Sequence, residues 1–90
     1  MAIITEIEQF VIDKVREFRL ERKIGQEKLS IDMGLAAKFV GNVESPKRPE
    51  KYNINHLNKI AEIFDCSIKD FFPDQYIPGE LLKRIVKVKK

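Results

Sequence analysis

Ninety residues at a formal net charge of +3 make one small domain, with room for a single hydrophobic core but not for a deep catalytic cleft as well. The 43% apolar and 34% charged content fits short helices with solvated outer faces, and the one cysteine, Cys66, excludes an internal disulfide and suits a reducing compartment. No apolar run approaches the length of a membrane span, and the opening MAIITEIEQF lacks the basic start of a secretory signal, so a cytoplasmic, bacterial protein is expected.

The spacing predicts a first helix from about Thr5 to about Lys23, ahead of Gly25. Thr5 and Glu8 have the separation of a capping box, in which each side chain satisfies the other's free backbone N–H. Ile7, Phe10, Val11, Val15 and Phe18 then recur at helical steps.

Residues 26–44, QEKLSIDMGLAAKFVGNVE, read as two short helices joined at Gly34. Leu29 and Met33 give the first an apolar side, and Leu35, Phe39, Val40 and Val43 give the second a stripe. Gly34 falls where the turn needs a residue that tolerates positive φ. Such a pair is a helix-turn-helix, whose second helix, here 35–44, is of the kind that enters the major groove of DNA. Plotted at about 100° per residue, Leu35, Ala36, Phe39, Val40 and Val43 take one side. Ala37, Lys38 and Gly41 lie opposite, with Asn42 and Glu44 on the flanks. Lysine suits guanine O6 and N7, asparagine suits adenine N6 and N7, and alanine suits the thymine methyl, which makes Ala37, Lys38 and Asn42 the candidate base readers. Glycine within a helix costs roughly 1 kcal/mol relative to alanine. Gly41 therefore either forms a flat strip with Ala37 that lets the helix ride close to DNA, or relieves crowding against another part of the protein.

The segment 45–52, SPKRPEKY, is a polar, proline-punctuated loop carrying Lys47, Arg48 and Lys51. Asn53 is placed to cap a fourth helix, with Leu57, Ile60, Ala61 and Phe64 on one side. His56 lies off that stripe and is expected to be solvated, while Cys66 is read as a small packed residue. Ser67 and Asp70 repeat the capping separation before a short fifth helix ending at Phe72, which Pro73 stops. In residues 74–90, Leu81, Leu82 and Ile85 suit a helix, whereas 85–89 partly alternate like a strand, and the pattern does not choose between them.

The tail holds Lys83, Arg84, Lys87, Lys89 and Lys90; removing those five charges from the +3 leaves −2 for residues 1–82. DNA binding by such a body requires clustered cations, and Lys38, Lys47, Arg48 and Lys51 are one cluster. No His/Cys cluster, glycine-rich phosphate loop or nucleophile with a histidine partner is present, so neither an enzyme nor a metal or other cofactor is expected.

The ordered set V-R-E-F-R (15–19), G-Q-E-K-L (25–29), M-G-L (33–35), F-V-G-N-V-E (39–44), L-N-K-I-A-E-I-F (57–64) and C-S-I-K-D-F-F (66–72) resembles the Cro and phage-repressor class of helix-turn-helix domains, the XRE family. It covers about two-thirds of the chain. The resemblance implies an all-α, five-helix domain over 1–73, followed by the basic tail 74–90, that binds operator DNA, commonly as a dimer. It also implies base reading around Ala37, Lys38, Gly41 and Asn42, and phosphate contacts from Gln26 and the loop residues Lys47, Arg48 and Lys51, with Asn53 and Asn55 as weaker candidates. Arg19 and Glu44 match a partly buried ion pair that fixes the third helix against the first. The chain departs from the family in its longer 45–52 loop, in Ser30 where alanine is usual, in Ile31 at a usually polar position that suggests a partner contact, and in a large Phe39.

The expected function is a sequence-specific, double-stranded-DNA-binding transcriptional regulator of repressor type, acting as a homodimer and not on a membrane. The alternative is an antitoxin- or adaptor-type module that uses the same fold to bind a protein, favoured by the −2 body. Apolar residues at both ends (Ile3, Ile4, Ile7 and Val11; Tyr76, Ile77, Leu81, Leu82, Ile85 and Val86) predict that the N-terminal extension and the tail pack together, within one chain or across a dimer. The tail lysines are then solvated or near DNA phosphate, and a frayed tail is the alternative.

Overall fold

The computed structural model describes residues 3–79 and 85–86. In chain order these form β1 (Ile3–Ile4), α1 (Glu6–Glu21), α2 (Gln26–Asp32), α3 (Phe39–Glu44), α4 (Ile54–Phe64), a 3₁₀ turn (Ile68–Phe71) and β2 (Ile85–Val86). Helices carry the core, so the fold is all-α. The strands are a two-residue antiparallel pairing of Ile3 with Val86 and Ile4 with Ile85, which brings the tail back to the N-terminal extension within one chain. The expectations for Leu81, Leu82 and the tail cations Lys83, Arg84, Lys87, Lys89 and Lys90 fall outside the described residues.

Thr5 starts α1 through the capping box: its Oγ1 accepts from Glu8 N–H, and Glu8 Oε1 accepts from Thr5 N–H at 2.8 Å. Three helices then end alike, with paired 6→1 and 5→2 backbone bonds about one left-handed residue. These pairs are Ile24 N to Arg19 O with Lys23 N to Leu20 O, Leu35 N to Ser30 O with Gly34 N to Ile31 O, and Cys66 N to Ala61 O with Asp65 N to Glu62 O. The left-handed residues are Lys23 at φ 56, Gly34 at φ 79 and Asp65 at φ 53.

The expected fifth helix is instead the 3₁₀ turn. Ser67 Oγ accepts from Lys69 N–H rather than from Asp70, and Phe72 is extended, at φ −113 and ψ 152. Pro73 excludes the α region for the residue before it, which leaves too few residues for an i→i−4 ladder. The turn still delivers Phe71, fully buried, against Phe18 and Phe64 at ring distances of 5.5 and 6.4 Å.

Two apolar clusters divide the labour of α1. Val11 and Val15 join Leu29, Val40, Leu57 and Ile60 in the main core. Ile12 turns the other way and, with Ile4, covers Val43 of α3. Part of the apolar surplus at the N-terminus is thus spent inside the chain, since Ile4 is fully buried, while Ile7, expected on the core stripe, is 37% exposed. Ile31 is exposed, as its solvent-side position requires. Cys66 packs against the main core, and burial pushes its thiol up.

Candidate nucleic-acid interface

The second helix of the motif is shorter than the predicted 35–44. Leu35 N–H is held back by Ser30 O, a turn closes from Phe39 N–H to Ala36 O at 3.0 Å, and α3 begins only at Phe39. Ala36, assigned to the apolar side by a helical plot, is consequently exposed. Ala37 and Lys38 stand in the turn that leads into the helix, while Gly41 and Asn42 are within it.

A buried serine stitches this start in place. Ser30 Oγ donates to Gln26 O at 2.9 Å and accepts the Val40 N–H at 2.9 Å. Val40 lies in the first turn of α3, where amides have no partner within the helix. No α3 side chain caps that end, so Ser30 supplies the acceptor from α2.

The outward face of α2 and α3 is a shallow concavity lined by Gln26, Glu27, Ala37, Lys38, Gly41 and Asn42. It gathers every base-reading candidate, with Gln26 beside them. Glu27, which no sequence feature singled out, adds an acid to its edge. Gly41 faces Gln26: a Cβ built there would stand 3.2 Å from Gln26 Oε1.

Glu44 holds the far end of α3. Arg19 Nε donates to its Oε2 at 2.9 Å and Arg19 Nη2 to its Oε1 at 2.7 Å, with the two side chains 6% and 3% exposed. Arg19 Nη1 also donates to Ile24 O at 2.7 Å, so one guanidinium joins the close of α1 to the end of α3. Gln26 Nε2 donates to Glu44 Oε1 at 2.9 Å, and the exposed Arg16 brings its Nε to 3.6 Å from the same oxygen. Sequence reasoning missed Arg16. It stands three residues before Arg19, a separation that puts two side chains on one helix face.

The basic loop is partly neutralised. Arg48 Nη2 lies 3.0 Å from Glu50 Oε2, and that carboxylate raises the guanidinium above its ordinary value. Lys51 Nζ sits 2.6 Å from Glu8 Oε2. Burial pushes the Glu8 carboxyl up, but hydrogen bonds from Lys51 and Thr5 outweigh it and the net direction is down. Among the described residues, Lys38 and Lys47 have no ion-pair partner. Asn53 is committed to capping α4, its Oδ1 accepting from His56 N–H at 2.8 Å, and Asn55 is exposed.

His56 is not the solvated residue expected. Its Nδ1 accepts from Asn53 N–H at 3.0 Å, completing a capping box, and its ring lies 4.7 Å from that of Phe39. Burial holds the imidazole below its ordinary value of 6.5. Tyr52 packs on both rings, at 6.0 and 6.4 Å. Its hydroxyl is buried without a hydrogen-bond partner among the described residues. Burial, and secondarily the charge of Glu44, pushes that phenol well above its usual range despite the opposing Arg19. The larger Phe39 therefore links α3, the loop and the start of α4.

No helix among the described residues is long and apolar enough to cross a membrane. A search of curated proteins gave no match. Among solved structures, the chain is similar to the restriction-modification controller protein C.AhdI from Aeromonas hydrophila, at 27% identity and a TM-score of 0.59, over 70% of this chain and 92% of that one. The sequence profile of the Cro/C1-type HTH DNA-binding domain matches residues 14–75. Spanning the second half of α1, the turn at Gly34 and the pinned α3, that match shows that the chain belongs to the Cro/C1-type helix-turn-helix family of DNA-binding domains.

Proposed function

We propose that this protein is a sequence-specific operator-binding regulator, of repressor type, that acts as a homodimer with residues 36–44 in the major groove. The observation that carries this reading is the convergence of Ala37 and Lys38, from the turn, with Gly41 and Asn42, from an α3 fixed at both ends by Ser30 and by Glu44, on one open face. A rigid, outward-facing helix start is what base readout requires, because each side chain must meet a base edge in a set register. Likeness to a controller protein supports a role in regulating transcription. A two-fold dimer would present two such faces about 34 Å apart, as a palindromic site demands. Lys47 and Arg48, exposed in the loop that follows α3, are assigned to backbone phosphates, which position the helix without reading sequence. Lys51, tied to Glu8, and Arg48, tied to Glu50, must give up an ion pair to do so, which makes Lys47 the stronger contact.

The test is the salt dependence of binding to duplexes enriched from a random library. Replacing Lys47 with alanine should weaken all duplexes alike and reduce the slope of log K against log salt by about 1, with a smaller change for Arg48→Ala. Unchanged slopes for both would remove the loop from the interface.

A further inference from the structure

We infer that Glu8 is a positioning residue for the basic loop: its carboxylate holds Lys51, and through Lys51 it fixes the segment that carries Lys47 and Arg48. This rests on the DNA-binding reading above and deepens it, giving a role in binding to residues that precede the family match at 14–75. Lys51 becomes a strut of the loop instead of one of its phosphate contacts.

The loop has use for a strut. Residues 45–53 join α3 to α4 without regular structure. Each residue of such a loop loses conformational entropy when it is ordered, and a loop that orders only on binding sets that loss against affinity. Its first half is held locally: Ser45 Oγ accepts from Lys47 N–H at 3.2 Å, and Ser45 O accepts from Arg48 N–H at 3.5 Å. Its second half is held from α1. Lys51 Nζ sits 2.6 Å from Glu8 Oε2, while Glu8 Oε1 is fixed by Thr5 N–H in the capping box. Beside Lys51, Tyr52 packs on the cluster of Ile4, Ile12 and Val43. Ile4, Glu8 and Ile12 all stand before residue 14, so the end of the loop is braced by a part of the chain that the family profile leaves out.

The direction of Lys51 agrees. With Glu8, it lines a groove between α1 and α4 whose walls include Ile7, Ile12 and Leu57. The concavity of Ala37, Lys38, Gly41 and Asn42 shares no lining residue with that groove. Lys47 and Arg48, by contrast, are exposed. With a carboxylate against its ammonium, Lys51 adds little net attraction for DNA, and what the pair supplies is geometry. The two roles therefore predict opposite signs. Neutralising Glu8 removes an acid and frees a cation, which by electrostatics alone tightens binding to DNA. Removing a brace weakens it.

Glu8→Gln is the probe, because glutamine also serves at the third position of a capping box and keeps the start of α1. On duplexes enriched by the wild-type protein from a random-sequence library, Glu8→Gln should lose roughly 2- to 5-fold in affinity, with the preferred sequence and the salt slope unchanged. Lys51→Ala should do the same, and the double variant should be no worse than either single change. Lys51→Arg keeps the ion pair and should bind like the wild type. In the free protein, amide exchange at Lys47 and Arg48 should quicken in Glu8→Gln while Ile60 in α4 stays protected, a readout that a purely electrostatic role leaves unmoved. Tighter binding by Glu8→Gln with a slope steeper by about 1, or a slope reduced by about 1 in Lys51→Ala, would overturn the inference and make Lys51 a phosphate contact. Unchanged affinity, or unchanged exchange in the loop, would overturn it as well. If the wild-type protein enriches no duplex, the DNA-binding reading falls first, and the exchange measurement still shows whether Glu8 braces the loop.

Discussion

Replacing Ser30 with alanine isolates the bond that starts α3. The side chain is fully buried and its hydroxyl makes two bonds, but they are not equal in consequence. Gln26 O, the acceptor of one, lies in the first turn of α2, within reach of that helix's own backbone ladder. Val40 N–H, the donor of the other, is buried and has no alternative acceptor in its own helix. Stranding a buried donor costs about 1–3 kcal/mol. Alanine returns up to about 0.5 kcal/mol through better helix propensity. The penalty wins, for a net loss of about 1–2 kcal/mol. In a domain of this size that lowers the thermal midpoint by roughly 5–15 °C. Urea denaturation should show the midpoint falling with the slope preserved, and amide exchange should quicken at Val40 more than at Ile60 in α4. Stability within about 0.5 kcal/mol of wild type, with Val40 still protected, would refute the assignment.

Glu44→Ala should cost about 3–5 kcal/mol, because it leaves the Arg19 guanidinium, 6% exposed, without its carboxylate. The pair Arg19→Met with Glu44→Leu should cost less than Glu44→Ala alone, as urea unfolding can show, and an additive loss would contradict the stranded-charge argument. Acid should weaken the fold through His56. Its folded-state value is held below 6.5, so the unfolded chain binds the proton more readily and stability falls as pH drops below about 6.5. The bond from Asn53 N–H also requires an unprotonated Nδ1. Unfolding midpoints compared between pH 7.5 and 5.5 should drop for the wild type and change less for His56→Ala, whereas parallel drops would assign the sensitivity elsewhere.

What the sequence made legible was local. The Thr5–Glu8 box, the turn at Gly34, the Asn53 cap and the stripe of α4 each depend on residues a few positions apart, and each stands where the pattern put it. The start of α3 was misplaced because an apolar residue at helical spacing marks burial, not helix. Leu35 packs on the core from a turn, and Ala36 is exposed. Lys23 and Asp65 adopt left-handed conformations that glycine signals would assign elsewhere; Gly25 looked like the stop of α1 yet sits at φ −73 as the cap of α2. The fifth helix failed on a rule that was available, the restriction imposed on Phe72 by Pro73. Ile12 was missed because α1 packs on two sides, and a single stripe describes one. In the candidate interface the residue types were visible, whereas their mutual arrangement was not. Ser30 reaching Val40, Gln26 turning to Glu44 and His56 packing on Phe39 are meetings across 10 to 18 residues of chain, set by tertiary packing alone.

The central claim is that α3 and the turn before it read DNA sequence. It is tested most directly by comparing, at one fixed salt concentration, the affinity of a library-selected duplex with that of a scrambled duplex, for the wild type and for Asn42→Ala and Lys38→Ala. The account predicts a preference of roughly 10³-fold or more for the selected duplex in the wild type. Each variant should lose about 1–3 kcal/mol on that duplex through specific base positions, with little change on the scrambled one. Equal binding of both duplexes by the wild type, or an intact preference in both variants, would contradict it.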